Sequence, residues 1–374
     1  MKKKIRIGIL LFLLVLGMTV FVGAGETEDG KTTADQKLDP GQVKTVRLGV
    51  LVWKFSDTFG TDLREAIEKH AAETGADLGI EIELDVQDAD GDLGLQEKQA
   101  EQMFREGMDL VIVNLADTTE GQYIDDLSIA WETPVLFYNR EPHDVDIIRD
   151  IEAFYVGTAP EEAGTHQAQV FDELYRADPA LIDRNGDESI SYLLFEGEPD
   201  NPEAIVRTEY CIRTLMELDY RMEALAETQV ADWDEEKAES MMSAILENTD
   251  PGDIEAVFCN NDAMAIGVVK ALEKKGYNLP DGGDDARHVC VLGVDATEEA
   301  MAYISRGQID GTVHQDADAM GKAVIEIALN RVLTGSYLEG TGYELSDDEY
   351  SVRIPYAPVT KGSFSPGETT EETP

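Results

Sequence analysis

The 374-residue sequence predicts an α/β protein made of two doubly wound parallel-sheet lobes, joined by a multi-strand hinge with a ligand cleft between them. Three observations carry that expectation. Short apolar runs alternate with segments of helical period, the signature of parallel strands covered by helices on both faces. The alternation breaks near the middle of the chain and resumes, giving two series of similar length. The length is too great for one small core and suits two domains, and 43% apolar residues can fill both.

The first series opens with the apolar run Val46–Leu51, which reads as a buried strand. Asp62–Glu73 follows with Leu63, Ala66, Ile67 and His70 at helical spacing. Ile80–Val86 alternates like a strand with one exposed face, and Leu95–Arg105 is a helix that Gly107 ends. Strands at Leu110–Leu115 and Pro134–Asn139 flank a helix from Glu120 to Ala130. The second series has strands at Phe154–Gly157, Tyr192–Phe195, Ala256–Cys259, Val289–Val294 and Gly311–Val313. Its helices are Pro160–Arg176, Glu203–Glu217, Asp234–Leu246, Ala263–Lys274, Thr297–Ser305 and Ala317–Leu333.

Open parallel sheets bind ligands beyond the carboxyl ends of their strands. The residues there are Trp53, Phe55, Asp57, Phe59, Asn114, Asp117 and Asn139-Arg140-Glu141, then Glu196–Arg207, Asn260-Asn261-Asp262, Asp295 and Gln315-Asp316. They include no Ser–His pair, glycine-rich phosphate cradle or Cys/His cluster. Carboxylates, amides and guanidinium groups grip adjacent hydroxyls, and aromatic rings pack on the C–H face of a sugar ring. Asp57, Asn139, Arg207, Asn261 and Asp295 therefore read as a site for a small neutral sugar, whereas Asp262 reads as a helix cap.

The charge excludes other classes. Thirty Lys and Arg against 77 Asp and Glu give a net charge of −47, which repels phosphate and makes nucleic acid a poor partner. The acids are spread along the chain, as on a solvated surface. Lys2, Lys3, Lys4 and Arg6, the apolar run Ile7–Val22 and then Gly23-Ala24-Gly25 have the order of an export signal. Residues 1–25 are expected to be a cleaved signal peptide, with a retained anchor as the alternative. Residues 26–43 read as a flexible linker and 363–374 as a disordered tail. The chain is thus expected outside the cytoplasm, periplasmic or at the cell surface. Three cysteines form no disulfide framework, although a Cys259–Cys290 pair on neighbouring strands is conceivable.

Six ordered motifs carry a resemblance: Phe137-Tyr-Asn-Arg-Glu-Pro142, Tyr155-Val-Gly-Thr158, Phe195-Glu-Gly-Glu-Pro199, Asn260-Asn-Asp-Ala-Met264, Gly293-Val-Asp295 and Gly311-Thr-Val313. From about Val46 to Val359 the chain resembles the bacterial periplasmic galactose/glucose-binding proteins of sugar ABC transporters. The resemblance implies an N-terminal lobe of 44–157 and 316–348 and a C-terminal lobe of 158–315 and 349–362. It implies that Phe59 and Trp233 sandwich the sugar while Asp57, Asn139, Arg207, Asn261 and Asp295 bind its hydroxyls. Three positions depart from the pattern. Asn201 and Glu203 stand where the family has histidine and aspartate, and Gln315 stands where it has asparagine, so the class of ligand holds while the exact sugar is open.

A second site is suggested by Asp183, Asn185, Asp187, Ser189 and Ser191, oxygen side chains at the alternate positions of an EF-hand-like calcium loop, against the alternative of an acidic solvated turn. The resemblance adds a distant glutamate ligand, for which Glu223 is the candidate, and hence a structural Ca2+. The expected protein is a non-catalytic monomer that closes its lobes on a monosaccharide and presents it to an ABC permease. A membrane-anchored ectodomain serving a chemoreceptor or sensor kinase is the alternative partner reading, and a sugar-processing enzyme is the alternative from another class.

Overall fold

The computed structural model describes residues 3–6, 44–280 and 287–361. The remainder of the leader, the linker at 26–43 and the tail at 363–374 lie outside the described residues. In chain order the first part comprises β1 (Lys3–Arg6), β2 (Thr45–Val52), α1 (Thr58–Leu78), β3 (Glu81–Asp88), α2 (Leu93–Glu106), β4 (Leu110–Val113), α3 (Gln122–Trp131), β5 (Val135–Tyr138), α4 (Asp146–Asp150) and β6 (Phe154–Gly157). Then follow α5 (Pro160–Ala177), α6 (Pro179–Ile182), β7 (Ile190–Glu196), α7 (Pro202–Glu217), β8 (Met222–Ala224), β9 (Gln229–Val230), α8 (Glu235–Ile245), β10 (Ala256–Cys259) and α9 (Asp262–Glu273). The chain ends with β11 (Cys290–Leu292), α10 (Glu298–Ser305), β12 (Gly311–Gln315), α11 (Ala317–Thr334), β13 (Ser351–Arg353) and β14 (Tyr356–Thr360).

Two sheets result. The first has the order β1-β3-β2-β4-β5-β6-β13 and is parallel except for β1, which runs antiparallel along β3. The second has the order β14-β12-β11-β10-β7-β8, parallel except for β14, with β9 also paired to β7. Each sheet buries apolar clusters on both faces. Leu48, Ile67, Ile112 and Val324 belong to one cluster of the first lobe, and Leu51, Phe104, Val113 and Phe137 to the other. Burial on both faces explains why strands such as Leu110–Val113 are apolar throughout. The chain passes between sheets three times: after β6, between β12 and α11, and between β13 and β14.

Three sequence expectations change here. β13 pairs with β6, so residues 351–353 belong to the N-terminal sheet and not to the C-terminal lobe; the last crossing falls after Arg353. Ile80–Val86 was expected to expose one face, yet Asp85 and Gln87 on that strand are buried. Cys259 and Cys290 cannot be cross-strand partners, because Cys290 stands opposite Ala256, and all three cysteines are buried free thiols. Among the described residues no helix is long and apolar enough to cross a membrane.

Candidate functional site

The strand ends of both lobes face one cavity. All ten sequence-selected residues line it: Asp57, Phe59, Asn139, Asn201, Glu203, Arg207, Trp233, Asn261, Asp295 and Gln315. Trp53, Lys54, Asn114 and Arg140 join them.

Several of these side chains begin a helix and line the cavity at once. Asp57 caps α1, with Oδ1 accepting from Gly60 N at 2.6 Å. Asn201 caps α7 through Glu203 N at 2.9 Å, and Asn261 caps α9 through Met264 N at 3.0 Å. Asp262, expected to be that cap, is instead fully buried beside it, accepting from Thr312 Oγ1 at 2.6 Å and Thr297 N at 2.9 Å. It ties α9 to the loop that presents Asp295, which explains why a charged residue was placed there.

Backbone strain holds three of the side chains. Asn139 (φ +57°), Trp233 (φ +64°) and Asp295 (φ +123°) lie where L-residues seldom sit. Neighbours enforce each. Asn114 Nδ2 donates to Asn139 Oδ1 at 3.1 Å, and Asn261 Nδ2 donates to the Trp233 carbonyl at 3.3 Å. Asp295 N donates to Val313 O at 2.7 Å. The Trp233 ring also lies against Gly197, where a Cβ would stand 2.2 Å from the indole. Only glycine leaves room for that approach.

Arg207 is at the centre of the electrostatics. Nη1 donates to Asn260 O at 2.9 Å, and Nη2 donates to Glu203 Oε2 and Gln315 Oε1, each at 3.0 Å. Burial disfavours the cation, but Tyr356, Glu203 and Asp295 around it outweigh that and raise its pKa. Burial also pushes Asp57 up and lifts Asp295 far above the usual carboxylate range, with Arg207 opposing the latter. Trp233 Nε1, Arg207 Nε and Gln315 Nε2 are buried donors with no partner. Buried donors left without a partner are costly, and a bound hydroxyl-bearing ring would satisfy them.

Arg140 was not among the selected residues, although it follows Asn139 in a motif already singled out. Its guanidinium stacks 4.2 Å from the Trp53 ring centroid, donates through Nε to Leu115 O, and reaches Glu198 Oε2 in the other lobe at 2.7 Å. Thr118 Oγ1 donates to Asp200 O at 3.3 Å beside it, so the lobes meet directly along this edge.

In the loop at 183–191, Asp183 accepts from Gly186, Asp187 and Glu188 backbone N–H groups, and Asn185 and Asp187 accept from residues two further on. Gly186 and Glu188 both take positive φ. Glu223 does not complete the loop: it is exposed, lies in register with Ser191 on β8, and bonds to none of the loop side chains. The acid that reaches the loop is Glu255, ahead of β10. It is 2% exposed, accepts from Ser191 N at 2.9 Å, and leaves Oε1 buried without a partner. Among the described residues no three His, Cys, Asp or Glu side chains cluster closely enough to hold a metal.

A periplasmic binding protein domain model matches residues 48–335. The D-galactose/methyl-galactoside binding periplasmic protein of Haemophilus influenzae is 34% identical over 318 residues, covering 85% of this chain and 90% of the relative. A putative rhizopine-binding protein of Rhizobium meliloti is 28% identical over 85% of this chain and 91% of its own length. An ABC transporter solute binding protein from Bacillus halodurans, solved with bound myo-inositol, superposes with a TM-score of 0.67 at 26% identity, covering 86% of this chain and 96% of that one.

Proposed function

The chain belongs to the periplasmic binding protein domain family, and from that premise we propose that it is a sugar-binding protein of an ABC transporter, exported like its relatives, that closes on a monosaccharide or cyclic polyol and delivers it to a permease. One observation carries the reading: hydrogen-bonding side chains and three aromatic residues, drawn from both lobes, converge on one cavity that retains unpaired buried donors. Phe59 and Trp233 would cover the two faces of the ring. Asp57, Asn139, Arg207, Asn261, Asp295 and Gln315 would bind its hydroxyls. A ligand that touches both lobes favours the closed state by its differential affinity. The reading is one of binding without turnover, in keeping with relatives that are named as binding proteins.

The test is titration calorimetry against hexoses, pentoses and inositols. Asp57→Ala and Asp295→Ala should each weaken binding by about tenfold or more, since leaving a buried hydrogen-bonding partner unsatisfied costs about 1–3 kcal/mol. Unchanged affinity in both variants would reject the site.

We also propose that the 183–191 loop holds Ca2+ with Glu255, not Glu223, as its distant acid. Asp183, Asn185, Asp187 and Glu255 offer only oxygen donors, the type a hard cation takes; they do not yet converge as a cluster and would draw together on the ion, and the orphaned Glu255 Oε1 is the group a cation would satisfy. Burial raises the Glu255 pKa, and Asp183 nearby raises it further. Calcium should raise the melting temperature and a chelator should reverse this; Glu255→Gln should abolish the response while Glu223→Gln keeps it.

A further inference from the structure

Glu203 lines the cavity, yet both of its oxygens face away from solvent and are engaged by protein groups. Oε1 accepts from Thr158 Oγ1 at 3.2 Å, and Oε2 accepts from Arg207 Nη2 at 3.0 Å and Tyr356 Oη at 3.4 Å. Thr158 and Tyr356 are themselves 2.9 Å apart through their hydroxyls. These partners have a common feature. Thr158 follows β6 on the first crossing, Gln315 ends β12 on the second, and Tyr356 follows the third. Arg207 Nη2 donates to Gln315 Oε1 at 3.0 Å and to Tyr356 Oη at 2.6 Å. One ion pair on the first turns of α7 therefore holds a side chain from every strand that passes between the lobes.

We propose that Glu203 is a positioning residue of the hinge and not a sugar contact: with Arg207 it fastens the three crossing strands, so that fixing Arg207 on the ligand fixes the angle between the lobes. The length of the side chain fits the role. An aspartate at this helix position would withdraw the carboxylate by about one carbon–carbon bond, ~1.5 Å, away from Thr158 and Tyr356. The clamp extends into the N-terminal lobe as well. Arg353 Nη1 donates to the Thr158 carbonyl at 2.8 Å while pairing with Glu141, so Thr158 is held through its hydroxyl from one side and its carbonyl from the other. Hinges absorb rotation in a few residues at element ends, and a polar network shared by all of them couples their rotations.

The inference rests on the proposed sugar site only for its affinity arm. The test uses Glu203→Gln, Glu203→Asp, Tyr356→Phe and the Gln/Phe double variant, each carrying spin labels on cysteines introduced at the exposed positions Ile129 and Met216, one per lobe. In ligand-free protein each single variant should broaden the interlobe distance distribution, and the double variant should broaden it no further, because both substitutions break one network. With ligand, affinity should fall at least about fivefold, by the same factor for sugars that differ at a single hydroxyl. Unchanged distances, or a Glu203→Gln loss confined to one sugar, would overturn the proposal and return Glu203 to the ligand. If Glu203 variants fail to fold, Tyr356→Phe, which removes only a hydroxyl, decides alone. The distance arm needs no sugar, so a chain that bound none would defeat the functional reading and leave the hinge clamp separately tested.

Discussion

At the residue scale, the strand-end acids and amides perform two tasks that sequence reasoning tends to treat as alternatives. One Asp57 oxygen caps α1 and Asn261 caps α9, yet both line the cavity. A cap is held by the helix it starts, and a side chain held in this way is pre-organised for a ligand. Asp262 shows what such rigidity costs. Burial pushes its pKa up to about 7, against the hydrogen bonds from Thr312 and Thr297 that favour the carboxylate. The ionised form is therefore penalised in the folded chain. The penalty is absent below the unfolded value near 3.8, grows as pH rises, and is complete above about 7. Asp262→Asn removes the charge and keeps the size, although it spoils the acceptance from Thr312 and Thr297 by one of its two ends. The stability of this variant relative to the parent should thus rise between pH 4 and pH 8. Melting curves across that range read the slope; a difference that stays flat with pH would show that Asp262 and Asp295 do not titrate there. Sequence alone marked Asp262 only as a cap, because nothing local tells that Thr297 and Thr312 close over it. Glu255 escaped notice for the same reason, although a charge directly before the apolar strand Ala256–Cys259 was a readable sign.

Among elements, those long enough to show a period were legible. The helices α5, α7 and α11 and the apolar strands β2, β4 and β10 lie within two residues of their expected bounds, whereas α1 runs four residues earlier and five later than the expected Asp62–Glu73. The strands that were not foreseen, β1, β8, β9, β13 and β14, have two to five residues, too few for a period to develop; Lys3–Arg6, read as the charged start of the leader, pairs antiparallel with β3. β8 and β9 pair with β7 of their own lobe, whereas β13 and β14 pair with β6 and β12 only after the chain has crossed between the lobes, so their sheet membership is not a local property. The turn after β7 shows how an element serves the site. Gly197 leaves space for the Trp233 ring, whose backbone is held at φ +64°. Gly197→Ala should displace the indole and weaken sugar binding by about tenfold, the loss of one aromatic contact of ~1.5 kcal/mol. The melting temperature should fall as well, because the ring packs against the apolar core of the second lobe and a methyl group at position 197 overfills that contact. Calorimetry and thermal melting together check this; affinity equal to the parent's would mean that Trp233 does not cover the ligand.

For the molecule as a whole, closure is a balance between two edges of the cleft with opposite electrostatics. Along one edge Arg140, buried and stacked on Trp53, pairs with Glu198 of the other lobe at 2.7 Å. Along the other, Asp62 of α1 is raised by burial and then by the charges of Glu65 and of Glu298 on α10, so acids of the two lobes face one another. A net charge of −47 adds general repulsion between the lobes. A neutral ligand loses no attraction when salt is added, and salt screens the exposed acidic edge more than the buried pair. Binding should therefore strengthen from low to moderate ionic strength. Glu198→Gln keeps the shape of the clasp but leaves the Arg140 cation without its counter-charge in the closed state. Release of sugar should then be about tenfold faster, with association little altered, because loss of a partly buried pair acts on dissociation. The salt effect should persist in this variant, since it arises at the opposite edge. Stopped-flow kinetics in two salt concentrations separate the two contributions. A variant that releases sugar at the parental rate would show that the Arg140–Glu198 bridge accompanies closure without holding it.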